Sequence, residues 1–173
     1  MPKQEDKTKI LLDADVVIHF CKAGYQMKLT AIFPGRLVIL DKVKNELVKR
    51  NSEALGINNF LNWCKIPVEP MPNDLQIIKE YAALKKLRGD GESACMAVAR
   101  FKKNYIASSN IKDIKNYCEE HSIVYYTTMD VLEIAIKNGV MKENECNTFI
   151  KEVLEKNSKL PYKTMEEFRK NKK

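Results

Sequence analysis

The chain has 173 residues, 45% of them hydrophobic and 31% charged, with a formal net charge of +7 and a sequence pI of about 9.1. Its length suits one domain with a core of its own, and its composition excludes a disordered or fibrous protein. No apolar run approaches a membrane span, and the opening MPKQEDKTK lacks the apolar stretch of a secretory signal, so the expected location is the cytosol.

The first predicted strand is KILLDA (9–14). It runs into a helix, DVVIHFCKAG, that ends near Gly24. A short helix at 28–33 stops at Pro34–Gly35, a strand follows at 36–40, and Asp41 caps a helix that reaches Arg50. Another helix is expected at about 53–64, then a strand, IPVEP, bounded by proline. Asn73 is expected to cap a long helix whose Leu75, Ile78, Ala82 and Leu87 make one apolar face. The turn RGDG and the helix ESACMAVARFKK come next. After them the chain reads as strand YIASS, helix NIKDIKNYCEEH, strand SIVYY and helix TMDVLEIAIKNG. Helices at about 143–157 and 164–171 complete a single domain (1–173) with a core at about 9–160. The last residues, 161–173 with FRKNKK, read as a frayed basic tail.

Short apolar strands alternating with helices predict an α/β fold, a three-layer α/β/α sandwich around a parallel sheet. Such sheets bind ligands at the carboxyl ends of their strands. The positive charge favours a polyanionic partner. The five cysteines, Cys21, Cys64, Cys95, Cys118 and Cys146, are odd in number, widely spaced and without a CxxC pair, so packed free thiols are expected. His19 is expected to be a partly buried helix residue and His121 a helix-end residue; two histidines are too few for a His-rich metal site.

Two acids stand inside the most hydrophobic stretch, ILLDADVVIHF. An isolated buried carboxylate is very costly, so Asp13 and Asp15 must be hydrogen-bonded, paired or turned toward a cation. Glu46 follows the second strand by one to two helical turns, and Glu92 and Asp113 each fall in the first turn of a helix. Each has an ordinary structural role open to it. Asp15 is a favoured helix cap, and Glu46 has lysine neighbours. Glu92 and Asp113 complement helix dipoles, with Asp90 capping the first of those helices, and Ser108 and Asn110 could cap the second. Asp13, ending a strand, has no helix terminus of its own to cap. Two carboxylates about 6 Å apart repel by roughly 3 kcal/mol at an effective dielectric near 20. Four in one crevice would cost on the order of 10 kcal/mol, so protons or cations must neutralise them. Oxygen-only donors select a hard ion, Mg²⁺ or Mn²⁺.

In four blocks the chain resembles the PIN-domain nucleases, including the ribonuclease toxins of bacterial toxin–antitoxin pairs. The blocks are LLDADVVIHF with Asp13, VKNEL with Glu46, GDGESACMAVA with Glu92, and IASSNIKDI with Ser108, Asn110 and Asp113. Asp15 replaces the more common Asn, and Asn110 stands where many members carry an acid. The resemblance covers about residues 9–160 and implies a five-stranded parallel sheet of order 3-2-1-4-5. It implies a metal-dependent phosphodiesterase, usually acting on RNA, that leaves a 5′-phosphate and a 3′-hydroxyl. Asp13, Glu46, Glu92 and Asp113 would then be catalytic. Asp13, Glu92 and Asp113 would hold Mg²⁺ or Mn²⁺, with Asp15, Ser108 and Asn110 in support. An antitoxin and a second copy of the chain would be protein partners. Lys42, Lys44, Lys112 and Lys115 are candidates for holding the strand's phosphates. A non-catalytic nucleic-acid- or partner-binding module and a DNA-directed nuclease are the rival readings.

Overall fold

In the computed structural model, which describes residues 6–50 and 56–172, β1 (Ile10–Leu12) and β2 (Leu37–Leu40) are buried along their whole lengths. A run of Ile, Leu and Val with no polar alternation is what a strand covered on both faces requires. After β1 come α1 (Ala14–Ala23) and α2 (Lys28–Ile32); after β2 come α3 (Asp41–Lys49) and α4 (Ile57–Cys64). The chain continues through β3 (Val68–Glu69), α5 (Leu75–Leu84), α6 (Asp90–Lys102) and β4 (Tyr105–Ala107). It finishes with α7 (Ile111–Glu120), β5 (Tyr125–Tyr126), α8 (Thr128–Lys137), α9 (Glu143–Glu155) and α10 (Met165–Asn171).

The five strands form one all-parallel sheet in the order β3-β2-β1-β4-β5. The fold is therefore α/β, with helices flanking a sheet of the expected order. From β1 the chain steps outward to β2 on one side and later to β4 on the other. The carboxyl ends of β1 and β4 consequently bound the switch point at which such sheets hold ligands. Helix α6 packs across β1 and β2 and is buried without a break from Gly91 to Ala99. Its small residues, Gly91, Ser93, Ala94, Ala97 and Ala99, let it lie close to its neighbours.

Several elements differ from the sequence reading. The edge strands β3 and β5 have only two residues each; β3 is held short by Pro67 and Pro70 on either side of it. Asp74, not Asn73, caps α5, its Oδ1 accepting from the N–H groups of Gln76 (2.9 Å) and Ile77 (3.4 Å). The predicted apolar face of α5 points outward: Leu75, Ile78 and Leu87 are exposed, while Ile77 and Leu84 enter the core. Leu40, not Asp41, occupies the N-cap of α3; the Asp41 carboxylate accepts from the N–H groups of Lys42 and Met71. The first residues of the helix expected from about 53 lie outside the described residues.

The end of the chain is not frayed through residue 172. Met165 and Phe168 of α10 are buried, Arg169 bridges Glu133 and Glu143 at 2.9 Å each, and Lys172 pairs with Asp130 at 2.8 Å. All five cysteines are free, and four are buried. His19 is buried more fully than expected, and His121 caps the end of α7. Among the described residues no helix is long and apolar enough to cross a membrane.

Candidate functional site

Strands β1 and β4 end side by side. Leu12 pairs with Ala107, and the Asp13 N–H donates to the Ala107 carbonyl at 2.9 Å. That register brings Asp13 against Ser108, whose hydroxyl donates to Asp13 Oδ2 at 3.0 Å. Asp13 does have a helix to cap, because β1 stops at Leu12 and α1 starts at Ala14; its Oδ1 accepts from the Ala14 N–H at 2.8 Å. Asp15 is not the cap. It lies in the first turn of α1 and reaches across to the loop after β4, its Oδ2 accepting from the Ser109 N–H at 2.9 Å. The Ser108 hydroxyl is also 3.5 Å from Asp15 Oδ2, but its single proton serves the nearer Asp13.

Glu46 comes to the same place from α3. Its Oε1 accepts from the Gly91 N–H at 2.9 Å, which joins α3 to the start of α6. A Cβ on Gly91 would stand 2.9 Å from Glu46 Oε2 and 3.0 Å from Val43 Cγ2; one on Gly89 would stand 3.2 Å from Glu46 Oε1. The glycines of GDGES are therefore the spacers that let Glu46 enter. Gly91→Ala is expected to displace the Glu46 carboxylate and press on buried Val43. Overpacking of about 2 kcal/mol would outweigh about 1 kcal/mol of gained helix propensity, leaving a net loss of about 1 kcal/mol in a denaturant melt.

Glu92 is buried in the first turn of α6, and Asp113 lies in the first turn of α7. Asn110 joins them. It occupies the N-cap of α7 but makes no side-chain capping bond. Its Nδ2 donates instead to Glu92 Oε1 at 2.9 Å and to Asp113 Oδ2 at 2.6 Å. Nor does Asp90 cap α6. Gly89 holds that position, and the Asp90 carboxylate is taken by the Tyr81 hydroxyl and by Lys85 at 3.0 Å.

Asp13, Asp15, Glu46, Glu92, Asn110 and Asp113 all line one crevice of about 360 Å³, and Ser108 is buried against Asp13. Lys42, Lys44, Lys112 and Lys115 do not line it. The crevice's cations are Arg50, Lys85, Lys86 and Arg88. Sequence reading missed these four, although the run KKLR immediately before GDGES was a visible signal for three of them. It also missed a polar relay behind Asp15: Ser109 is hydrogen-bonded to Thr128, and Thr128 Oγ1 lies 2.8 Å from His19 Nδ1.

Burial and mutual repulsion make these carboxyls hold protons unusually well. Burial raises the pKa of Asp13, against the hydrogen bonds from Ala14 and Ser108. Burial and then the charge of Asp13 raise that of Asp15. Glu92 is pushed up to about 7, first by burial and then by the charges of Asp13 and Asp113. Among the described residues no three acidic, imidazole or thiol side chains already form a coordination sphere. Three carboxylate oxygens at the crevice, Glu46 Oε2, Glu92 Oε2 and Asp113 Oδ1, accept no hydrogen bond from the described residues. An oxygen-only donor set with open lone pairs fits a hard divalent cation that keeps much of its own water.

A scan of protein-family models finds no match to this chain, and a search of curated proteins finds no similar sequence.

Proposed function

We propose that this chain is a PIN-like, metal-dependent endoribonuclease and that the acidic crevice at the β1–β4 switch point is its active site. The observation that carries the reading is the convergence of Asp13, Glu46, Glu92 and Asp113, drawn from four separate elements, on one crevice. Nothing in packing requires four carboxylates to meet, and their repulsion opposes it. Asp13, Glu92 and Asp113 would hold Mg²⁺ or Mn²⁺, with Glu46 ordering water or supporting a second ion. The cation would offset the carboxylate charge and supply hydroxide near neutral pH.

The chain's own groups do the positioning. Ser108 fixes the rotamer of Asp13, and the Asn110 amide locks Glu92 and Asp113 at one spacing. Without a cation, burial and the charges of Asp13 and Asp113 push the Glu92 carboxyl up to about 7, so a cation binding there would displace a proton. Cations at the rim hold the strand by its phosphates. An antitoxin covering the crevice and a second copy of the chain are proposed partners; exposed Met27, Val48 and Trp63 offer apolar surface for such contacts.

The test is cleavage of labelled RNA and DNA strands with Mn²⁺, with Mg²⁺ and with EDTA. RNA cleavage that requires the metal is expected, with DNA cut poorly. Cleavage that survives EDTA would sink the mechanism. The second reading, a non-catalytic nucleic-acid-binding module, is favoured by one observation: among the described residues no three-donor cluster is preformed. It predicts strand binding with no cleavage and no metal-dependent rise in melting temperature.

A further inference from the structure

One wall of the crevice is basic and comes mostly from one short segment, the loop between α5 and α6. Lys85, Lys86, Leu87, Arg88 and Gly89 all line the crevice. The loop is a fixed turn, since the Leu87 N–H donates to the Leu84 carbonyl at 3.1 Å. Arg88 is half-buried, and its Nε donates to the Asp113 carbonyl at 3.3 Å. Among the described residues its two terminal nitrogens have no acceptor, and Lys86 has no carboxylate within 4 Å. An arginine anchored at Nε with its fork open is pre-organised for a phosphate. Between these two cations stands Leu87, at 85% the most exposed large hydrophobic side chain among the described residues.

Resting on the nuclease reading above, we propose that loop 85–89 grips a single strand, Arg88 and Lys86 holding its phosphates while Leu87 packs on the face of one unstacked base. The neighbouring charges choose the occupant. Leu87 is flanked by cations and lines the crevice with them, so an anionic strand suits its surroundings better than an apolar protein segment. Bases in a duplex are stacked and present no free face, so this contact selects unpaired strands. Arg88 also faces Glu92 and lowers its affinity for protons. Compensating an acid is a role that Arg88 alone could fill; it gives no reason for Leu87 to project at the rim.

The proposal is tested by binding in EDTA, so that no strand is cut. The probes are a labelled uridine 10-mer, an abasic 10-mer of equal charge and an RNA duplex, titrated against wild type, Leu87→Ala, Leu87→Met and Arg88→Ala. Wild type is expected to prefer the uridine strand over both other probes. Leu87→Ala should lose roughly two- to fivefold on the uridine strand and nothing on the abasic one, and Leu87→Met should restore the preference. Arg88→Ala should weaken both single strands alike and reduce the salt slope by about one. A uridine-to-abasic ratio unchanged by Leu87→Ala, or a duplex bound as well as the single strand, would overturn the proposal. If wild type still cuts RNA with Mn²⁺ in that event, the nuclease reading survives and Leu87 serves a protein partner or nothing. Failure of wild type to bind any strand would also overturn the loop's grip, while the nuclease reading stands or falls on cleavage with Mn²⁺.

Discussion

Asp13→Asn is expected to lower metal-dependent cleavage at least about a thousandfold while leaving the fold intact. The two outcomes separate because Asp13 has two duties. As the N-cap of α1 it presents Oδ1 to the Ala14 N–H, and asparagine caps equally well. As a site carboxylate it supplies a negative charge at the centre of the crevice, which asparagine cannot. The hydroxyl of Ser108 can turn to accept from the new amide, so the buried polar pair stays satisfied. Removing a buried charge beside Asp15 also relieves repulsion. The metal-free variant should therefore melt higher than wild type at pH 8, by the few degrees that about 1 kcal/mol produces. Activity within tenfold of wild type would show that the chemistry lies elsewhere.

Without metal, the protein should lose stability as pH rises. Asp13, Asp15 and Glu92 have folded-state pKa values raised above the ordinary carboxyl range, Glu92 to about 7. The native state then binds more protons than the unfolded chain from about pH 4 upward. Stability conferred by the protonated carboxyls is complete below that range and is lost in turn as pH climbs through about 7, for Glu92, and about 8, for Asp15. His19 works in the opposite direction. Burial holds its pKa down at about 4, so its contribution is complete above about 6.5 and disappears as the solution is acidified. The carboxyl effect is isolated by subtracting the melting curve of Asp15→Asn. Relative to wild type that variant should gain about 1 kcal/mol or more between pH 5.5 and pH 8. Mn²⁺ should stabilise wild type more at pH 8 than at pH 5.5, because protons compete for the same oxygens. A difference that stays flat with pH would mean that the carboxyls are more hydrated than their burial implies.

Much of this site was legible in the sequence because its acids stand at the joints between strands and helices. Strand β1 is uninterrupted ILL, and the acid that follows it could fall only at the sheet's carboxyl edge. The glycines beside Glu92 read as a turn, but their reason was hidden: a Cβ there would meet Glu46, forty-five residues earlier in the chain. Local rules also misassigned the caps. Asp13 and Asp15 are both good cap residues, and a two-residue difference in where β1 stops decides between them. The outer face of α5 misled for another reason. Leu75, Ile78 and Ala82 have helical spacing, yet Ile77 and Leu84 are the residues turned to the core, a choice made by the neighbouring helix α6 and not by periodicity. No sequence pattern revealed that Asn110 spends its amide on Glu92 and Asp113 instead of capping α7.

The pairing of β1 with β4 has a consequence for synthesis. Residues 10–12 wait nearly a hundred positions for Tyr105–Ala107, and only that pairing sets Ser108, Asn110 and Asp113 opposite Asp13. Such long-range closure comes late in folding. A nascent chain emerging from the ribosome therefore carries its early carboxylates long before the crevice they line can close, and whatever chemistry the crevice performs begins only once residue 113 has been made.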